Sequence, residues 1–185
     1  MKKLGLSLLL ILGVTNSITA KSIDSNKIYL GAGGTLVSTG ATDSVNLFKQ
    51  QNGQDRALGA TILVGYSIRD FLDLEARFMR SVTKDDAFSQ TTWGIFLKPK
   101  YELFNNMSIY ALYGVGGVKL SPKASSEDFS VTDISFGAGA SYKVTSNLSI
   151  FADYVDSARH NVKEFQGKEQ KVDTRSITTG LIYNF

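Results

Sequence analysis

From residue 27 onward, apolar and polar positions alternate with a period of two, and the alternation recurs in eight separate stretches. Leu58, Ala60, Ile62, Val64 and Tyr66 alternate with Gly59, Thr61, Leu63 and Gly65. Trp93, Ile95, Leu97, Pro99 and Tyr101 alternate with Gly94, Phe96, Lys98 and Lys100. Ile134, Phe136, Ala138, Ala140 and Tyr142 are set against Ser135, Gly137, Gly139, Ser141 and Lys143, and Ile177, Thr179, Leu181, Tyr183 and Phe185 against Ser176, Thr178, Gly180 and Asn184. Successive side chains of a strand point to opposite faces, so each stretch predicts a strand with one apolar face and one small or polar face. Segments 27–37, 72–80, 107–119 and 148–156 read the same way less cleanly. No helical stripe of comparable length follows the first 20 residues.

A soluble β-sandwich also alternates, so the deciding signals lie between the strands and in the aromatics. The connections run long, short, long, short, long, short, long: 38–55, 67–71, 81–90, 103–106, 120–130, 145–147 and 157–172. Both chain ends then lie beside short turns. Tyr66, Tyr101, Tyr142 and Tyr183 all occupy the apolar set at the turn-proximal end of an even-numbered strand, where they would form one interfacial girdle, with Trp93, Phe78 and Tyr154 toward the other interface. The expectation is an all-β fold: an eight-stranded antiparallel up-and-down transmembrane β-barrel with short periplasmic turns and long extracellular loops.

The N-terminus agrees with export. Lys2 and Lys3 precede an apolar run, 4–14, that is short for a membrane-spanning helix, and Ser17-Ile18-Thr19-Ala20 follows. This predicts a signal peptide, 1–20, cut after Ala20, and one barrel domain, 21–185. Losing Lys2 and Lys3 takes the charge balance from 20 basic residues to 18, against 17 acidic ones scattered among them. That removes the case for a nucleic-acid binder, which needs basic residues gathered on one face. The absence of cysteine excludes disulfides and thiolate metal sites, and a single histidine, His160, excludes an imidazole cluster.

Two stretches are more specific. Residues 136–150, FGAGASYKVTSNLSI, form a glycine-rich strand, a Thr-Ser-Asn turn and a following strand; the chain ends Leu181-Ile182-Tyr183-Asn184-Phe185. With these, the chain resembles the small outer-membrane β-barrels of the opacity-protein and outer-membrane-protein-A transmembrane-domain type. The resemblance implies residence in the bacterial outer membrane, contact with its lipid and lipopolysaccharide, and a terminal signal, Leu181, Tyr183 and Phe185, read by the barrel-assembly machinery. No peptidoglycan-binding segment follows the barrel within this sequence, so cell-wall tethering is not carried over.

Eight strands enclose a space that side chains can fill. The inward set carries Asp73, Glu75, Arg77, Lys98, Lys100, Glu102, Lys143 and Asp153, with Gly114, Gly116, Gly137 and Gly139 leaving room for longer neighbours. Mixed charges in a narrow, poorly hydrated lumen must pair, which favours an ion-pair plug over a conduction path. One antiparallel register sets Glu75 opposite Lys98 and Asp73 opposite Lys100. Pro99 lacks a ladder donor, and a bulge is expected there. Ser157, His160 and Glu164 invite comparison with lipid-modifying barrels, but Val162 stands where their His-x-Ser arrangement has serine, so no enzyme and no cofactor is expected. The function expected is a structural or surface-binding and adhesion scaffold, offering polar loops (Lys49, Asp55, Lys168 and Glu169 among their charges) to a host or envelope ligand. The alternative is a narrow porin-like permeability protein.

Overall fold

The computed structural model describes residues 25–40, 47, 54–82, 88–104, 106–122, 129–165 and 168–185. The expected signal peptide lies outside them. A single 3-10 turn, Ser25–Lys27, leads into eight strands: β1 (Ile28–Gly40), β2 (Gln54–Arg69), β3 (Leu72–Ser81), β4 (Phe88–Phe104), β5 (Met107–Pro122), β6 (Phe129–Lys143), β7 (Leu148–Phe165) and β8 (Lys168–Asn184). Each pairs antiparallel with its sequence neighbours, and β1 pairs with β8, so the sheet closes. Closure leaves no edge strand, which is what hydrocarbon solvent demands of a sheet.

The register gives the barrel its slant. From Ile28 the partners run Tyr66, Leu74, Leu97, Tyr113, Phe136, Asp156, Arg175 and back to Ser38 on β1, ten residues beyond the start (38 − 28). That stagger is the shear of the barrel, and it tilts the strands by roughly 35–45°. Side chains alternate as the sequence requires: Leu58, Ile62, Ile95, Val115, Ile134 and Leu181 are exposed on the outer wall, while Leu63, Phe96, Leu112 and Phe151 are buried inside.

Three expectations need correction. The fourth long connection, 157–172, is mostly strand: β7 runs to Phe165 and β8 begins at Lys168. Beyond the lipid both faces of a strand are polar, so the period-two signal fades before the hydrogen bonding does. The other three long connections also shorten, because β1 continues to Gly40, β4 starts at Phe88, β5 ends at Pro122 and β6 starts at Phe129. Finally, there is no bulge at Pro99. The β4–β5 pairing passes from Leu97↔Tyr113 to Lys100↔Tyr110 in one register, and the irregularity falls at Glu102/Phe104 instead. Lys100 donates its backbone N–H to Phe71 on the β3 side, so the Pro99 nitrogen faces β5 and simply leaves that ladder one donor short.

Candidate functional site

The lumen is sealed at mid-height by charges and aromatic rings from strands far apart in sequence. Glu75 on β3 accepts from three donors: Arg77 Nε, Lys98 Nζ at 2.8 Å and the Tyr29 hydroxyl at 2.8 Å. Arg77 also reaches across to β7, where Nη1 and Nη2 donate to Asp153 Oδ1 and Oδ2 at 2.8 and 2.7 Å. The Tyr110 hydroxyl donates to the same carboxylate at 2.9 Å. Two cations and two anions thus close a neutral network, and the side chains of Glu75 and Asp153 have no solvent exposure. A bidentate guanidinium–carboxylate pair fixes orientation as well as charge.

Rings fill what the charges leave open. The Lys98 ammonium lies 4.2 Å from the Tyr110 ring centroid and 5.1 Å from that of Tyr29. Arg77 lies 5.9 Å from Phe96 and 6.0 Å from Phe151. Each cation is therefore held between two aromatic faces, an arrangement that gains strength when water is excluded. Sequence reasoning assigned the charges to this space but missed Tyr29, Tyr110 and Phe151 as its packing. The available signal was their parity: each falls in the inward set of its strand.

Toward the turn end the lumen opens into a cavity of about 420 Å³, lined among others by Lys27, Asp73, Lys100, Glu102 and Lys143. Lys100 Nζ donates to both oxygens of Asp73, at 2.8 and 3.0 Å. Glu102 and Lys143 approach only to 3.7 Å at the rim, and both side chains are more than half exposed, so this pair contributes little. On the other side of the plug, Thr35 shares hydroxyl hydrogen bonds with Thr61 and Thr178, and Gln90 donates to Thr39. The space beside them is only about 30 Å³.

The charged pairs form through a register different from the one expected. Asp73 stands opposite Lys98, and Glu75 opposite Phe96, so Glu75–Lys98 and Asp73–Lys100 are diagonal contacts bridged by the long lysine side chains. On the outer wall, Tyr101, Tyr142 and Tyr183 are exposed near the turn end and Tyr66 is partly so, while Trp93 pairs with Phe78 nearer the other end. Of the terminal residues, Leu181 and Tyr183 face outward, and Phe185 packs edge-on against Tyr183 with centroids 5.3 Å apart. Phe185 also donates its N–H to Ile28 at 3.2 Å. Ser157 sits inside near the end of the described β7 side chains; the side chains of His160 and Glu164 lie outside the described residues. Among the described residues, no group of His, Asp and Glu is arranged to hold a metal ion.

The sequence matches the family described as outer membrane protein beta-barrel domain over residues 6–185. The chain belongs to this family. It is an outer-membrane β-barrel protein of bacteria, and known structures share its fold. Neisserial surface protein A is 18% identical, with a TM-score of 0.65, covering 85% of this chain and 97% of its own. Ail, the attachment invasion locus protein of Yersinia pestis, is 18% identical at a TM-score of 0.57, covering 86% and 98%. The N-terminal barrel of Pseudomonas aeruginosa OprF is 14% identical at a TM-score of 0.59, covering 86% and 98%. No curated protein sequence matches the chain.

Proposed function

We propose that this barrel is a non-conducting, non-enzymatic scaffold that is exported by a cleaved signal peptide, sits with its short turns in the periplasm and offers its opposite end to a host-surface or envelope ligand. The observation that carries this reading is the buried, charge-neutral cluster of Glu75, Arg77, Lys98 and Asp153 across the lumen. A pore would need a hydrated path there, and opening one would leave carboxylates in a low-dielectric space without their partners. With the lumen committed to structure, the connections at the far end remain as the place for recognition.

In planar bilayers the refolded protein should give no steady channels; stable, ion-selective steps would replace this reading by the permeability one. Exchange of segment 41–53 for a short glycine-serine linker should keep the barrel folded and abolish adhesion of expressing cells to host matrix. Retained adhesion with weakened envelope integrity would instead favour a purely structural role. The Yersinia pestis relative has been crystallised with the heparin analogue sucrose octasulfate, which makes that compound a sensible first ligand.

The same reading gives the C-terminus a role in assembly. Deleting Phe185 should lower the yield of barrel that migrates differently before and after boiling, and should do so more than Phe165→Ala. Equal yields for the two variants would remove the terminal signal from the proposal.

A further inference from the structure

The cavity at the turn end is floored by a cation whose hydrogen-bonding capacity the plug does not exhaust. The Lys98 side chain is only 5% exposed and lines this cavity from below. Its one hydrogen bond among the described residues runs to Glu75 Oε2, at 2.8 Å. An ammonium carries three N–H donors, so two are left for whatever enters the cavity. The rings of Tyr29 and Tyr110 flank the ammonium, and both have given their hydroxyl protons to the plug carboxylates. The floor is therefore a desolvated positive charge between two aromatic faces, open on the cavity side.

The wall adds further donors. Ser108 on β5 and Ser141 on β6 stand in direct cross-strand register, and Ser149 on β7 stands opposite Lys143. All three line the cavity, and none of their hydroxyls is hydrogen-bonded to another described residue. The charges of the lining do not cancel. Lys100 is paired with Asp73, and Lys143 stands 3.7 Å from Glu102. What remains at the mouth is Lys27 and Arg69, both exposed, against the single carboxylate of Asp70. Since the plug beneath is neutral, the cavity keeps one positive charge in excess.

A group that answers this lining is anionic and accepts hydrogen bonds from several directions. A carboxylate offers two oxygens in one plane and suits a guanidinium fork, whereas a phosphate monoester offers three strong acceptor oxygens and suits ammonium point charges and hydroxyls from different strands. We propose that the turn-end cavity is a binding site for a small phosphate ester, its phosphate group held by Lys98, Ser149 and Lys143 and its organic part lying against Tyr29 and Tyr110. The volume, about 420 Å³, lies within the roughly 300–1,000 Å³ of small-molecule sites. The plug closes the far side, so the ligand enters and leaves at the turn end, and the site is compatible with a barrel that conducts nothing. Its chemistry is the same whichever side of the membrane the turns occupy.

The test is calorimetric titration of the refolded protein, in uncharged detergent micelles, with glycerol 3-phosphate at an ionic strength held constant with sodium chloride. Saturable one-to-one binding is expected, with no saturable heat from glycerol or from acetate. The double variant Arg69→Gln/Lys143→Gln alters only exposed side chains at the mouth and should raise the half-saturating concentration about tenfold. Arg80→Gln, the same loss of charge at the other end of β3, should leave it unchanged. Lys98→Met should abolish saturation, with heat-dependent migration on gels as the check that the barrel has formed. If that variant does not fold, the mouth variant and Ser149→Ala, which should also weaken binding, decide the matter. No saturable binding of the phosphate ester, equally tight binding of acetate, a half-saturation unmoved in the folded mouth variant, or one moved as far by Arg80→Gln would each overturn the site.

Discussion

Replacing Arg77 by Met is expected to destabilise the folded barrel by about 3–5 kcal/mol, the usual cost of stranding a buried charge. Arg77 is the one side chain in the plug that bonds both carboxylates, Glu75 through Nε and Asp153 through both terminal nitrogens. Without it Glu75 keeps Lys98 and Tyr29, but Asp153 keeps only the Tyr110 hydroxyl. Adding Asp153→Asn should therefore recover a substantial part of the loss. Unfolding midpoints in urea for wild type, both singles and the double give the coupling. An Arg77→Met barrel as stable as wild type would show that the guanidinium is not holding the plug. The three-way sharing of Glu75 also changes what to expect of Lys98→Met with Glu75→Met: the second change deprives Arg77 Nε of its partner, so rescue should be incomplete.

The second large effect is expected from Gly65→Val, at about 1–3 kcal/mol for forcing bulk into a packed interior. A β-carbon at position 65 would overlap the hydroxyl end of the Tyr29 ring, at Cζ. The ring cannot move aside freely, because its hydroxyl is bonded to Glu75 and its face lies 5.1 Å from the Lys98 ammonium. Tyr29→Ala vacates that space, so the double variant should be less unstable than the two losses added together. Strict additivity would mean that Gly65 is needed for another reason.

The strands were legible because lipid and lumen impose opposite polarities on alternate residues, and Leu58 to Tyr66 carries that contrast at every position but Leu63, which is apolar and faces the interior. The register was not. A slip of two residues keeps every side chain on its face, so polarity cannot distinguish Glu75 opposite Lys98 from the observed Asp73 opposite Lys98. Lysine side chains are long enough to make the same ion pairs from either register. Strand ends were misread for a related reason, since the sequence of β7 beyond Asp156, SARHNVKEF, carries polar residues at consecutive positions and shows no period-two alternation to read. Tyr29, Tyr110 and Phe151 were missed as plug residues because aromatics near a membrane interface also have a ready explanation outside the barrel.

The seam between β1 and β8 joins the two ends of the described chain: Phe185 is tied to Ile28, and Asn184 is tied to Asn147 in the turn before β7. The eighth strand in sequence order is thus the one that closes the sheet. A chain cut short by even one strand would present β1 as an unpaired edge, open to pairing with other chains. Closure therefore acts as a test of strand number, passed only by a chain that carries all eight strands.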